Sequence, residues 1–296
     1  MTAPAHPRTL AAAYAGVIVM WSTAPLATKW SGEGPGFLFG AASRMCIGLF
    51  CVFALLAWRR QRLPLDARAW RHYGAGAISV YGAMGLSYWA AQQVPSGWIS
   101  VIYGLTPLVT AVLSHLLLGE NSLTPRKLAA LAVCVAGIWI IHGSALRIGS
   151  HAVLGIAALL AGSVLHGLSA VLVKRIDARV APLASVAGTL LLASPAYALT
   201  WWWFDGTWPA LLPARSVASI VYLGVFATTL GFSWYFYVLQ HLSATRVAMI
   251  SLLTPVLALA TGFLLNHEPL TPRIVGGTAL ILAGMLLHEY SHRRAA

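Results

Sequence analysis

Acidic residues are nearly missing: the chain has seven Asp and Glu in 296 residues, and only 9% of it is charged. A soluble domain carries about 25% charged residues, so this chain lacks the polar surface that a water-soluble fold needs. All seven acids (Glu33, Asp66, Glu120, Asp177, Asp205, Glu268, Glu289) fall between apolar runs or at their ends. No carboxylate pair inside a run is available for hydrolytic acid–base work. Cysteine is scarce as well. Cys46, Cys51 and Cys134 each sit in an apolar run, which excludes a disulfide framework and a cysteine metal site. No dinucleotide fingerprint, phosphate loop or serine-nucleophile elbow occurs, which argues against ATP-driven transport and against an enzyme. His288-Glu289-Tyr290-Ser291-His292 matches a zinc-hydrolase pattern, but it closes the last run with no third ligand in sight. Nor is there a polar stretch long enough for a linker. The longest breaks are 59–72 and the Trp/Pro-rich 204–215.

What is present is apolar: 59% hydrophobic residues and a mean hydropathy of +0.77. Disorder is excluded, and the chain reads as an all-α integral membrane protein. Ten runs of spanning length are expected, at 10–30, 36–58, 73–94, 98–118, 126–143, 153–173, 182–203, 216–239, 245–265 and 273–290. The first carries no cleavage signal and is read as retained. The net charge of +12 does not point to nucleic acid, because the positive residues cluster in short loops. With the N-terminus inside, 14 Lys and Arg fall on the cytoplasmic side and 4 outside, with Arg44 alone within a run. This asymmetry predicts ten helices with both termini cytoplasmic.

The chain also repeats itself. Leu105-Thr106-Pro107 recurs as Leu253-Thr254-Pro255, and the same offset of 148 pairs Gln92 with Gln240 and Glu120 with Glu268. Leu123-Thr124-Pro125-Arg126 and Ala136-Gly137 recur at an offset of 147, as Leu270-Thr271-Pro272-Arg273 and Ala283-Gly284. The expected units are 1–148 and 149–296, each of five helices. Five is odd, so the second unit enters the membrane from the opposite side. Such inverted repeats are typical of secondary transporters working by alternating access around a central cavity.

The run from Trp21 to Lys29, Arg44, and Leu105-Thr106-Pro107 followed by Leu116-Leu117-Leu118-Gly119-Glu120 resemble the EamA-type branch of the drug/metabolite transporter superfamily. So do His241 to Arg246 and the second Leu-Thr-Pro. The resemblance covers essentially the whole chain. Richness in Trp and Tyr makes it similar, within that branch, to the YddG-type amino-acid exporters. The resemblance implies a ten-helix basket with a central cavity, exporting small metabolites such as aromatic amino acids across the bacterial inner membrane. Its partners would be that small molecule and the lipid bilayer, with no cofactor, no metal and no nucleic acid, as a monomer or weak homodimer. The competing classes are a membrane-embedded hydrolase, a proton-coupled multidrug exporter and a non-transporting scaffold.

Candidate substrate-contacting residues follow from polar stripes, since polar groups facing lipid are costly. In the third run, Tyr81, Gly85, Tyr88 and Gln92 share 4-3-4 spacing, and the repeat maps them onto Thr229, Ser233, Phe236 and Gln240. In the fourth run, Ser100, Tyr103 and Pro107 form a second stripe, mirrored by Ser251 and Pro255. Pro107 and Pro255 fall mid-run, where proline removes a backbone hydrogen bond, and are read as paired gating kinks; the plainer alternative is a packing kink. His166, flanked by Ser163 and Ser169, and Trp21 complete the set, while His115 lies nearer a run end. The alternative for the polar stripes is interhelical hydrogen bonding without substrate contact. Arg44 stands on a small-residue stripe with Gly36, Gly40 and Gly48, and burying it costs roughly 2.5–3.5 kcal/mol. A structural role is expected for it. With no carboxylate inside a run, facilitated diffusion is expected rather than proton antiport.

Overall fold

The structure, a computed structural model, describes residues 7–120, 125–242 and 244–293. The side chains of Gln240, Arg246 and 288–292 lie outside the described residues, and with them the zinc-hydrolase pattern. Among the described residues the chain is helical, without strands. Most of its long helices are apolar on all sides, which is how a helix between lipid and protein must be built. Seven segments are long and apolar enough to cross a membrane. Phe50, Trp139, Leu199 and Leu264 stand exposed on the outer surface, an exterior suited to acyl chains. The protein is a multi-pass membrane protein.

The elements are α1 (Pro7–Ser31), α2 (Phe37–Trp58) and α3 (Ala67–Ala77), which continues through a π-helical segment π1 (Ile78–Ala83) into α4 (Met84–Ala91). Next come α5 (Ser96–Tyr103), α6 (Thr106–Leu118), α7 (Pro125–Ile148), α8 (Ser150–Ile176) and α9 (Pro182–Phe204). Then α10 (Ala214–Tyr222) runs through π2 (Leu223–Leu230) into α11 (Gly231–His241), followed by α12 (Ala244–Asn266) and α13 (Pro272–Arg293). The third rod starts at Ala67, earlier than apolarity alone suggests, because the Asp66 carboxylate accepts from the Arg68 and Ala69 amides and caps α3.

Packing pairs recur in crossed fashion. α1 packs on α12 and α11, while α8 packs on α6, π1 and α4; α2 packs on α9, and α7 on α13. The α7–α13 seam is made by small residues. A Cβ on Gly137 would lie 2.6 Å from the Gly277 carbonyl oxygen, and one on Gly284 would lie 2.8 Å from that of Ala130. Backbones this close exclude any side chain at those positions.

The two π segments reshape the interior. Each wide turn sets the helix after it about 100° out of phase with the helix before it. It also frees carbonyls, which side chains then satisfy: Tyr197 donates to Val80 O and Tyr81 O, and Tyr103 and Ser87 donate to Ala83 O. In π2, Thr229 donates to Gly224 O. The fourth run differs from an unbroken kinked helix. It breaks at Gly104–Leu105, leaving exposed Pro107 as the second residue of α6, whereas buried Pro255 lies inside a continuous α12.

Candidate functional site

Three adjoining cavities line the inside of the bundle. The largest, about 250 Å³, is walled by Trp21, Pro25 and Thr28 of α1, Arg44 of α2, Ser79, Val80, Ala83, Met84 and Ser87 of π1 and α4, and Ser100 and Tyr103 of α5. His166 of α8, Ala227 of π2 and Phe232 of α11 close it. A second cavity of about 160 Å³ shares Ser79, Val80, Met84, His166 and Phe232 with it and extends to Ser185 and Thr189 of α9. A third, about 180 Å³, shares Val186 and Phe232 and reaches Arg59 and Gln61 beyond α2, with Thr229, Ser233 and Tyr237 on its wall. Phe232 borders all three. Together they are strung from Trp21 to the loop that follows α2.

The polar groups along these cavities are few and ordered. His166 Nδ1 lies 2.6 Å from Ser79 Oγ, and its ring centroid lies 6.0 Å from that of Tyr103. Tyr103 is held by Ser87 Oγ at 2.8 Å and Ala83 O at 2.8 Å. The Trp21 ring packs on Tyr235 at 4.7 Å and edge-on to Phe232 at 6.2 Å. A hydroxyl beside an imidazole invites comparison with a hydrolase, but activating a nucleophile needs a third group to orient the base. No carboxylate serves His166 among the described residues. What the arrangement can do is hold an apolar or aromatic body among rings while a few donors fix its polar end.

Beyond Thr28 of the largest cavity, a polar network joins the end of α1 to α5 and the end of α12. Lys29 Nζ stands 3.4 Å from Glu268 Oε1 and donates to Val94 O at 3.3 Å. Glu268 Oε2 accepts from the Ser96 amide at 2.8 Å and the Ser96 hydroxyl at 2.9 Å, at the first residue of α5. Asn266 donates to Glu268 Oε1 and accepts from Trp30 Nε1, each at 2.9 Å. Nearby, Arg215 pairs with Glu33 and its guanidinium lies 5.0 Å from the centroid of the Trp30 ring.

The sequence-derived residues divide accordingly. Trp21, Ser100, Tyr103 and His166 meet in the largest cavity, and Thr229 and Ser233 line the third. Tyr88 is fully buried behind the wall, its hydroxyl 3.4 Å from Arg44 Nη1. Tyr81 turns elsewhere: its hydroxyl is 2.7 Å from Thr200 Oγ1 and its ring packs edge-on to Tyr197. Gln92 faces Gly32, with Nε2 buried and unpartnered. Ser163 is fully buried and joins α8 to Thr106 of α6 at 3.2 Å. Ser251 is half-buried on α12 and, like Tyr81, Gln92 and Ser163, is not on the walls of these three cavities. The 4-3-4 stripe thus does not share one cavity wall. The residues that π1 and α4 turn inward are Ser79, Val80, Ala83, Met84 and Ser87, a different face of the rod from the stripe. Spacing could not reveal Ser79 or Phe232. Arg44 was legible as an anomaly, yet it lines the cavity rather than serving only as packing.

The family model described as "EamA-like transporter family" matches residues 10–143 and again 153–288. The protein of Bacillus subtilis (strain 168) named "Uncharacterized transporter YvbV" is 28% identical over 92% of this chain and 88% of its own. A protein of Streptantibioticus cattleyicolor named "Probable terminal-alkyne amino-acid exporter" is also 28% identical, over 91% of this chain and 90% of its own. One solved crystal structure aligns with a TM-score of 0.65 at 22% identity, covering 98% of this chain and 99% of that one; this likeness concerns the fold.

Proposed function

The chain belongs to the EamA-like transporter family, and from that footing we propose that it exports small metabolites, foremost amino acids including aromatic ones, by alternating access. The observation that carries this reading is the string of cavities, which runs toward Arg59 at one end and toward the Lys29–Glu268–Ser96 network at the other. The similarity to a protein named as an amino-acid exporter supports the substrate class.

In this reading the continuous rods make ten crossings, arranged as inverted units 1–148 and 149–296. The family model's double match supports it. So does the α7–α13 seam, where the Gly137–Gly277 approach becomes the Gly284–Ala130 approach when 147 is added to one residue number and subtracted from the other. π1 and π2 fall at matching places in the two units. The loop clusters of Lys and Arg support cytoplasmic termini, and in this reading the path leads inward and the Lys29–Glu268 end faces out. Trp21, Ser100, Tyr103 and His166 are the residues read as touching substrate, with Thr229 and Ser233 on the inner approach.

A strain sensitive to toxic amino-acid analogues tests the function. Expression of the chain should raise tolerance to phenylalanine analogues and lower their cellular content. Unchanged content across a panel of amino-acid analogues would contradict it.

A further inference from the structure

Arg44 is only 6% exposed, in the first half of α2, and it borders the largest cavity. Its contacts are all neutral. Nε donates to Thr228 Oγ1 at 3.2 Å, Nη1 donates to Tyr88 OH at 3.4 Å, and the Tyr88 ring lies 5.9 Å from the guanidinium carbon. A guanidinium carries five N–H donors, so these two bonds leave several without partners among the described residues. It is also permanently charged.

No protein carboxylate answers that charge among the described residues. Glu268 is taken by Lys29 and Ser96, Glu33 by Arg215, and Glu120 by Lys174. Asp66 caps α3, Asp205 accepts from Thr207, and Asp177 ends α8. A buried cation within a membrane protein is expensive unless paired. Here Arg44 borders an open space lined also by Trp21 and Phe232.

We propose that Arg44 binds the carboxylate of the transported molecule and selects monocarboxylates with an apolar or aromatic body. The ligand, in place of a protein acid, supplies the counter-charge, and the planar fork suits a carboxylate held by two bonds. Because Thr228 lies in π2, the loaded site joins α2 to a segment of loosened helical geometry in the other half. The assignment rests on the transport reading above and gives its substrate class. It also sets this cavity against dicationic drugs, since it holds one cation and no acid.

The test titrates purified full-length protein in detergent with four probes sharing one phenylethyl body: L-phenylalanine, 3-phenylpropanoate, L-phenylalaninamide and 2-phenylethylamine. The wild-type protein should bind the two carboxylates about tenfold or more tightly than the other two. Arg44→Met should lose that preference while keeping the amide's affinity within about twofold. Its unliganded Tm should stay at or above the wild-type value, because an apolar side chain replaces a charge without counter-ion. A lowered Tm with the carboxylate preference intact would make Arg44 structural and overturn the assignment. Equal binding of acids and amide by wild-type protein, or no response to any probe, would overturn it even if the variant failed to fold. Carboxylates that bind with this preference but are not carried into vesicles would instead overturn the transport reading and leave the anchor standing.

Discussion

Lys29, near the end of α1, and Glu268, in the segment after α12, stand 3.4 Å apart with the carboxylate only 8% exposed. The pair ties the first half of the chain to the second at the end read as shut. Because the Glu268 oxygens also accept from Ser96 and Asn266, one carboxylate clasps α1, α5 and the end of α12. Glu268→Ala should therefore destabilise the shut state by roughly 1–3 kcal/mol, the range for lost hydrogen bonds to a charged group. In a background with its cysteines replaced, Thr28→Cys on the cavity wall should then react faster with an impermeant thiol reagent added from outside. Lys29→Met should act the same way and combine with Glu268→Ala less than additively. Additive effects, or unchanged reactivity, would remove the clasp from the mechanism.

The prolines should act unequally. Pro107 follows a break in the helix and Pro255 sits within an unbroken one. Pro107→Ala permits α5 and α6 to merge and should slow flux severalfold, whereas Pro255→Ala adds one backbone hydrogen bond and should raise Tm with a smaller loss. Normal flux in both variants would contradict a gating role.

Selectivity should follow the cavity walls rather than the polar stripe. Trp21→Ala and His166→Ala should change the range of carried solutes. Tyr81→Phe removes only a hydroxyl directed at Thr200 and should leave that range intact. Competition among amino acids in an efflux assay separates these outcomes.

The helical, multi-pass membrane class was readable because lipid imposes a simple rule: apolar length marks helices. The third rod began early because Asp66 caps a turn containing Arg68 and Arg71, a polar segment that an apolarity threshold leaves out. The site was less readable. Tyr81 and Ser79 lie two residues apart on one rod and so point to opposite sides of it; nothing in their residue types announces which side faces the cavity. Trp21, Tyr103 and His166 lie outside the π segments, and their placement followed from position alone. Arg44 was visible as a costly residue, but the lack of a counter-ion for it among the described residues is visible only in three dimensions.

Energy coupling should be simple. Among the described residues no carboxylate borders the three cavities, and the one imidazole there, His166, is bonded to a neutral serine. His166→Gln should retain substantial flux, and flux should persist without a pH gradient or membrane potential. Strict dependence on an imposed proton gradient, abolished by that substitution, would identify histidine-mediated antiport.

Counterflow in proteoliposomes addresses alternating access itself. Vesicles loaded with unlabelled L-phenylalanine and diluted into trace labelled L-phenylalanine, without ion gradients, should transiently accumulate label only when the protein is present. A carrier exposing one site to each side in turn must produce that overshoot, because outgoing unlabelled molecules return the site to capture label. Label that merely equilibrates, as through a pore, or no protein-dependent entry of phenylalanine or any other amino acid tried in the same format, would contradict the account.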